Sequence, residues 1–218
     1  MEDFPLKQLF TARMSKPAVP ISLVLLALGF SALIYEIPFI APFSLAIAGF
    51  ISLYILFGKE GITYTFSKPK KLTSTFFLGL IASYAFALTG LYFVTKVLHS
   101  NPHDNPLAQN FDLLELLKTI PMLLGEELIT IVLLLIIVNI MGGTRKALVV
   151  GVIASAIIFG LLHLSTYDWN FAQVLLVISL ARIPFTIASL RSDSIYSGYL
   201  IHIAYDWIAF LSYMLTHH

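Results

Sequence analysis

The chain has 218 residues, of which 58% are hydrophobic and only 11% charged, with a mean hydropathy of +0.89 and a net charge of +1. That balance excludes a soluble domain of this size and identifies an integral membrane protein. There is no cysteine, which rules out disulfides, thiolate metal sites and a cysteine nucleophile; no basic stripe with interleaved aromatics suggests nucleic acid.

Residues 1–17 read as a short amphipathic lead-in carrying Lys7, Arg13 and Lys16. Spans are predicted over 18–35 and 38–57, with Glu36 and Pro38 marking the turn between them. The first follows basic residues as a signal peptide would, but it lacks a small-x-small cleavage site and reads as a retained helix. Residues 58–71 are polar and lysine-rich, and a third span follows over 72–98. His99-Ser100-Asn101-Pro102 opens a loop, and the ambiguous region 99–120 is where an eighth span would have to lie. A fourth span ends at Met141-Gly142-Gly143, and the last three are predicted over 147–165, 171–190 and 196–215. The expected architecture is all-α: a single transmembrane domain over 1–218 with seven to eight helices, polytopic in the cell membrane, around a polar cavity near the midplane.

Lys and Arg number three before the first span, then zero, four, one, two, zero and one in successive loops, and none after the last. The excess falls on alternate loops, which places the amino terminus in the cytoplasm. No internal repeat supports an inverted-repeat transporter, although a small transporter stays open as a weaker reading.

The fourth span contains Glu126 and Glu127, and each intramembrane ionisable residue costs roughly 2.5–3.5 kcal/mol on insertion scales, so two in a row call for partners or a task. Two other spans carry ionisable groups at helical spacing: Phe159 and His163 on one, His202 and Asp206 on the other. At about 1.5 Å rise per residue, Glu126, His163 and His202 lie roughly 21, 25 and 17 Å from the cytoplasmic ends of their helices, depths that allow them to meet. A carboxylate, two imidazoles and a further carboxylate suit peptide-bond hydrolysis, with a base for water and donors for the oxyanion. They are equally a plausible zinc set of Glu126, His163, His202 and Asp206. Two adjacent buried carboxylates could share a proton, one serving as base and the other as support. Taken singly, each residue has a plainer reading: a packed histidine, a polar cap, or a carboxylate pair passing ions.

In order, these residues resemble the three motifs of the CPBP family of intramembrane proteases, which includes the CAAX prenyl endopeptidases and bacterial proteins tied to bacteriocin processing or self-immunity, also called the Abi family. The pattern EExxxR, FxxxH, HxxxN or HxxxD falls on Glu126-Glu127, on Phe159 and His163, and on His202 and Asp206, within a motif-bearing core of about 110–215. The resemblance implies a multi-helix fold with a conical cavity, in which Glu126 activates water while His163, His202 and Asp206 orient it and stabilise the oxyanion. It implies an endopeptidase of bacterial type acting on a membrane-associated peptide or protein. The alternative is a non-catalytic immunity or regulatory protein that keeps the cavity and binds a partner. HExxH, GxGD and GxSG signatures of other membrane proteases are absent.

One position departs from the pattern: Ile131 stands where the motif has arginine, so a charge expected beside Glu127 is missing. Arg182 lies inside the sixth span, nine residues before Arg191 and so roughly 14 Å from the cytoplasmic end, where a lone guanidinium is costly. It either reaches Glu127 from another helix and supplies that charge, or snorkels to the interface. Asp206, one turn beyond His202, is expected to hold that imidazole through a hydrogen bond in preference to binding a metal.

Overall fold

The computed structural model describes residues 5–109 and 112–217, and among these every regular element is helical. Seven long helices follow one another: α1 (Ala18–Ile34), α2 (Ala41–Thr65), α3 (Leu72–Val97), α4 (Leu113–Ile140), α5 (Arg145–Leu162), α6 (Phe171–Ser192) and α7 (Ile195–His217). The helices α2 to α6 are each long and apolar enough to cross a bilayer; α1 is apolar but spans 17 residues, and α7 carries His202 and Asp206. The chain is thus a multi-pass membrane protein. In the region 99–120 the described residues form only a short helix, Pro106–Gln109, and the first turns of α4, so the eighth span is not found there. Asn170 and Gln173, at the start of α6, pin the preceding part of that loop through Ser100, Asn101 and His103.

Helix boundaries follow local chemistry. The side chains of Asp112, Thr144 and Asn170 accept from backbone N–H groups at the starts of α4, α5 and α6. Gly142 and Gly143 adopt φ of 79° and 68° at the end of α4, and the Gly143 N–H returns to the Val138 carbonyl at 2.8 Å, which closes the helix. The second helix breaks at Gly58, where φ is 66°, and resumes through Thr65, so part of the lysine-rich stretch after residue 57 is helical instead of loop. The fifth helix stops at Leu162, short of the expected 165, with His163 at its end.

The fourth helix is central and packs against α2, α5 and α7, while α3 packs against α6 and α7 on one flank and α1 against α2 on the other. Large apolar side chains on the outer faces, among them Leu28, Ile51, Ile81, Leu88 and Ile153, are exposed, as expected of a surface that meets lipid. The lead-in does not lie along that surface. After a single turn of helix at Pro5–Gln8 it tucks under the bundle, with Leu6 and Leu9 fully buried and the Asn139 amide donating to the carbonyls of Leu9 and Ala12. The loops after α2, α4 and α6 gather at this same end: Asp193 accepts from the Lys7 backbone N–H and, at its own carbonyl, from Ser67, while the Lys70 N–H reaches the Ser192 carbonyl.

Gly125 lets α4 and α2 touch backbone to backbone, immediately before the two glutamates. A Cβ there would lie 2.7 Å from the Ala46 nitrogen and 2.8 Å from the Leu45 Cβ, contacts that neither partner can relieve. Gly125→Val should therefore destabilise the folded protein by about 1–3 kcal/mol or more through overpacking, read as a lower unfolding midpoint in detergent. An unchanged midpoint would show that the two helices can part without cost.

Candidate active site

Adjacent residues on a helix point in different directions, so Glu126 and Glu127 enter different surroundings. Glu127 is fully buried. Its carboxylate receives two parallel bonds from Arg182 on α6, Nη1 to Oε1 and Nη2 to Oε2, the latter at 2.8 Å. Arg182 is itself fully buried, so it does not snorkel; from another helix it supplies the charge that Ile131 lacks. Ile131 is buried in the apolar core. Bidentate pairing suits a guanidinium, and each partner offsets part of the other's cost of burial. The guanidinium lies over two aromatic rings, 4.8 Å from the Phe159 centroid and 5.5 Å from that of Phe185.

Local backbone features aim these groups. A π-turn over Val174–Ile178 precedes Arg182, and Ser179 donates to the Val174 carbonyl at 2.9 Å within it. That turn packs on Gly160, where a Cβ would meet the Ser179 hydroxyl and the Val174 carbonyl. On α7, a Cβ at Gly198 would lie 2.9 Å from Glu127 Oε2, so the absence of a side chain lets α7 pass close to the buried carboxylate. Two further bonds tie α7 to α4: the Tyr199 hydroxyl to the Ile120 carbonyl at 2.8 Å, and Trp207 Nε1 to Thr119 at 3.0 Å.

Glu126 faces a cavity of about 1180 Å³ that is also lined by Phe159, His163, His202 and Asp206. Its Oε2 stands 3.7 Å from His202 Nε2 and 3.9 Å from His163 Nε2. The other nitrogen of each ring is held by an acceptor: His163 Nδ1 by the Phe159 carbonyl and His202 Nδ1 by Glu127 Oε1, both at 2.8 Å. In their neutral forms both imidazoles therefore carry the proton on Nδ1 and turn a lone pair at Nε2 toward Glu126. Phe159 does more than fill space, because its ring packs on His163, on His202 and on Arg182 while its carbonyl fixes a tautomer.

The expectation that Asp206 holds His202 is corrected. Asp206 Oδ2 is 3.7 Å from His202 Nε2, beyond hydrogen-bonding distance, and it is Glu127 that orients the ring from the opposite side. Nor do the two glutamates form a proton-sharing pair, since both Glu127 oxygens are engaged by Arg182 and one of them also by His202. The structure gathers all seven residues that the motifs and charges single out: Glu126, Glu127, His163, His202, Asp206, Phe159 and Arg182. The sequence reading missed the aromatic wall of Phe185, Tyr167 and Tyr205. Their signal was present: Phe185 follows Arg182 by three residues, Tyr167 follows His163 by four, and Tyr205 precedes Asp206. Burial pushes the Tyr167 phenol up, so it stays a protonated donor in the wall of the cavity.

Zinc would draw on Glu126, His163, His202 and Asp206, a donor set of the right chemistry. The spacings of 3.7–3.9 Å are wider than the edge of about 3.3 Å expected for a tetrahedron of 2.0–2.1 Å bonds, and among the described residues no group of three or more such side chains is placed to hold a metal ion.

Residues 113–208, which contain all three motifs, match the family described as type II CAAX prenyl endopeptidase Rce1-like. This agrees with the CPBP and CAAX protease resemblance of the motifs, and that family is one of polytopic membrane proteases. No curated protein and no solved structure matches the chain.

The bidentate pair generates a stability prediction. Arg182→Ala should cost about 3–5 kcal/mol, because it strands a buried carboxylate, and Arg182→Lys should recover little of that, since an ammonium cannot make two parallel bonds. Adding Glu127→Gln to Arg182→Ala should restore part of the loss. Unfolding midpoints of the two single variants and the double variant test this; a coupling energy near zero would mean that the pair contributes nothing to folding.

Proposed function

We propose, with the match of residues 113–208 to the CAAX endopeptidase family as premise, that this protein is an intramembrane endopeptidase hydrolysing a peptide bond of a membrane-associated peptide or protein. It would reside in the cell membrane with its amino terminus in the cytoplasm. The observation that carries the reading is the convergence of the Glu126 carboxylate and two imidazole Nε2 atoms on one side of a cavity, at 3.7 and 3.9 Å. Groups at that separation can hold a water molecule between them, each within hydrogen-bond reach of it.

In this mechanism Glu126 takes a proton from water as the water attacks the scissile carbonyl carbon. The proton is held on the carboxyl group and then passed to the leaving amine. His163 helps to orient the water. The oxyanion is stabilised by His202, in its protonated form, with Asp206 beside it; a carboxyl group can donate there only while it carries a proton. Glu127 and Arg182 are positioning residues: they touch neither water nor substrate but fix the ring of His202.

Glu126→Gln should lower turnover by about 10²–10⁴-fold while leaving expression and unfolding midpoint near wild type. His163→Ala and His202→Ala should fall to similar levels, with double variants losing little more, as groups acting on one step do. Asp206→Asn should retain most activity, because an amide supplies a donor without titrating. The readout is mass spectrometry of peptides released in membranes that contain each variant. Identical peptide profiles for wild type and Glu126→Gln would overturn the enzyme reading and favour a non-catalytic immunity or regulatory protein. Loss of product on chelation, restored by zinc, would require a metal in the mechanism.

A further inference from the structure

The cavity has a direction. From Glu126 and His202 its lining runs outward to the α1–α2 turn at Glu36–Phe43, to Asn105–Leu107 and to the first turns of α4 at Leu114–Lys118. Phe39 is 97% exposed and Leu114 59%, so this is where it opens. Asn139, Gly143, Ser67 and Asp193, with the tucked-in lead-in, lie at the opposite end of the bundle.

Charge is divided between the same two ends. Of 13 Lys and Arg, three fall in 7–16, four in 59–71, two at 145–146 and one at 191, all at the closed end, while Arg182 is buried at the site. Only Lys96 and Lys118 lie toward the open end, and Lys118 is already paired with Glu115 at 2.5 Å. The open end instead carries Glu36, Asp104, Asp112, Glu115 and Asp168. Basic residues are retained on the cytoplasmic side of short-looped membrane proteins, so the closed end faces the cytoplasm. Behind the acidic rim the walls are apolar and aromatic, with Phe30, Phe43, Phe185 and Phe210 among them.

We propose that the cavity is entered from the non-cytoplasmic side, and that its occupant is a peptide segment pairing basic residues with apolar ones, the basic residues meeting Glu36 beside the Glu115–Lys118 pair while the apolar side chains fill the aromatic walls. The occupant rests on the proteolytic reading only in being the substrate; the direction of approach does not depend on it. Chemistry at Glu126 then acts on segments already outside the cytoplasm or inserted from the outer interface.

The cysteine-free chain makes the direction directly measurable. Asn101→Cys, in the loop at the open end, should react with a membrane-impermeant maleimide on intact cells. Met141→Cys, at the closed end, should react only after permeabilisation. The reverse pattern, or labelling of both in intact cells, overturns the direction whether or not the protein is a protease. The occupant is tested with the purified protein in zwitterionic nanodiscs, by fluorescence anisotropy of two short amphipathic peptides, one of leucine and lysine and one of leucine and glutamate. The lysine peptide should bind more tightly, and Glu36→Gln should weaken it by about two- to fivefold, as loss of one exposed charge pair does, without affecting the glutamate peptide. Equal affinity of the two peptides would overturn the assignment of a cationic occupant. Loss of hydrolysis in Glu126→Gln with both binding and labelling intact separates this proposal from the fate of the enzymatic one.

Discussion

A buried guanidinium bonded to a buried carboxylate, with low-dielectric surroundings on every side, is the constraint on which the rest of the site depends. Neither Glu127 nor Arg182 has solvent to fall back on, so each requires the other, and α4 and α6 are held in register by that requirement. The pair also requires space and facing π systems, which explains why glycine stands at Gly198 and why Phe159 and Phe185 lie against the guanidinium. One Glu127 oxygen is shared with His202, so the same pair sets the tautomer of an imidazole facing the cavity. A polar group that looks like a liability for insertion thus organises three helices.

Helix geometry sends the two adjacent carboxylates into different settings. Glu126 turns to the cavity and Glu127 turns to the protein interior, where it is fully buried. The proton transfer proposed for Glu126 needs the first setting, and the fixed orientation of His202 needs the second. A single residue could not satisfy both, and side-by-side placement on one helix yields both from one short motif.

Much of this was legible because intramembrane charges are so few that each one demands an explanation. Glu126, His163 and His202 could be grouped from spacing and depth, and Arg182 could be narrowed to two roles, a partner for Glu127 or a side chain snorkelling to the interface, because a lone guanidinium there is costly. What failed was anything that turned on direction. Asp206 lies one turn from His202 on the same helix, yet its oxygen stays 3.7 Å away, because ring orientation is set by Glu127 from a different helix. The aromatic wall could be read only from its spacing to Arg182, His163 and Asp206, not from hydrophobicity, because in lipid both faces of a helix are apolar and a phenylalanine facing the cavity has the same sequence surroundings as one facing the bilayer. The break at Gly58 and the burial of the lead-in turn on tertiary contacts that local composition does not record.

Moving the arginine from the helix of the motif to α6 also changes the order in which the site can be built. An arginine at position 131 would leave the ribosome only four residues after Glu127, and the two could neutralise each other within a single helix during insertion. Arg182 follows 55 residues later, which at about 5–20 residues per second means roughly 3–11 s of synthesis with the carboxylate already made and its cation not yet present. Over that interval Glu127 must stay protonated or in contact with water. Only when α6 docks does the charge pair close, so biogenesis of this protein has a late electrostatic step that a chain with the arginine in the first motif would not need.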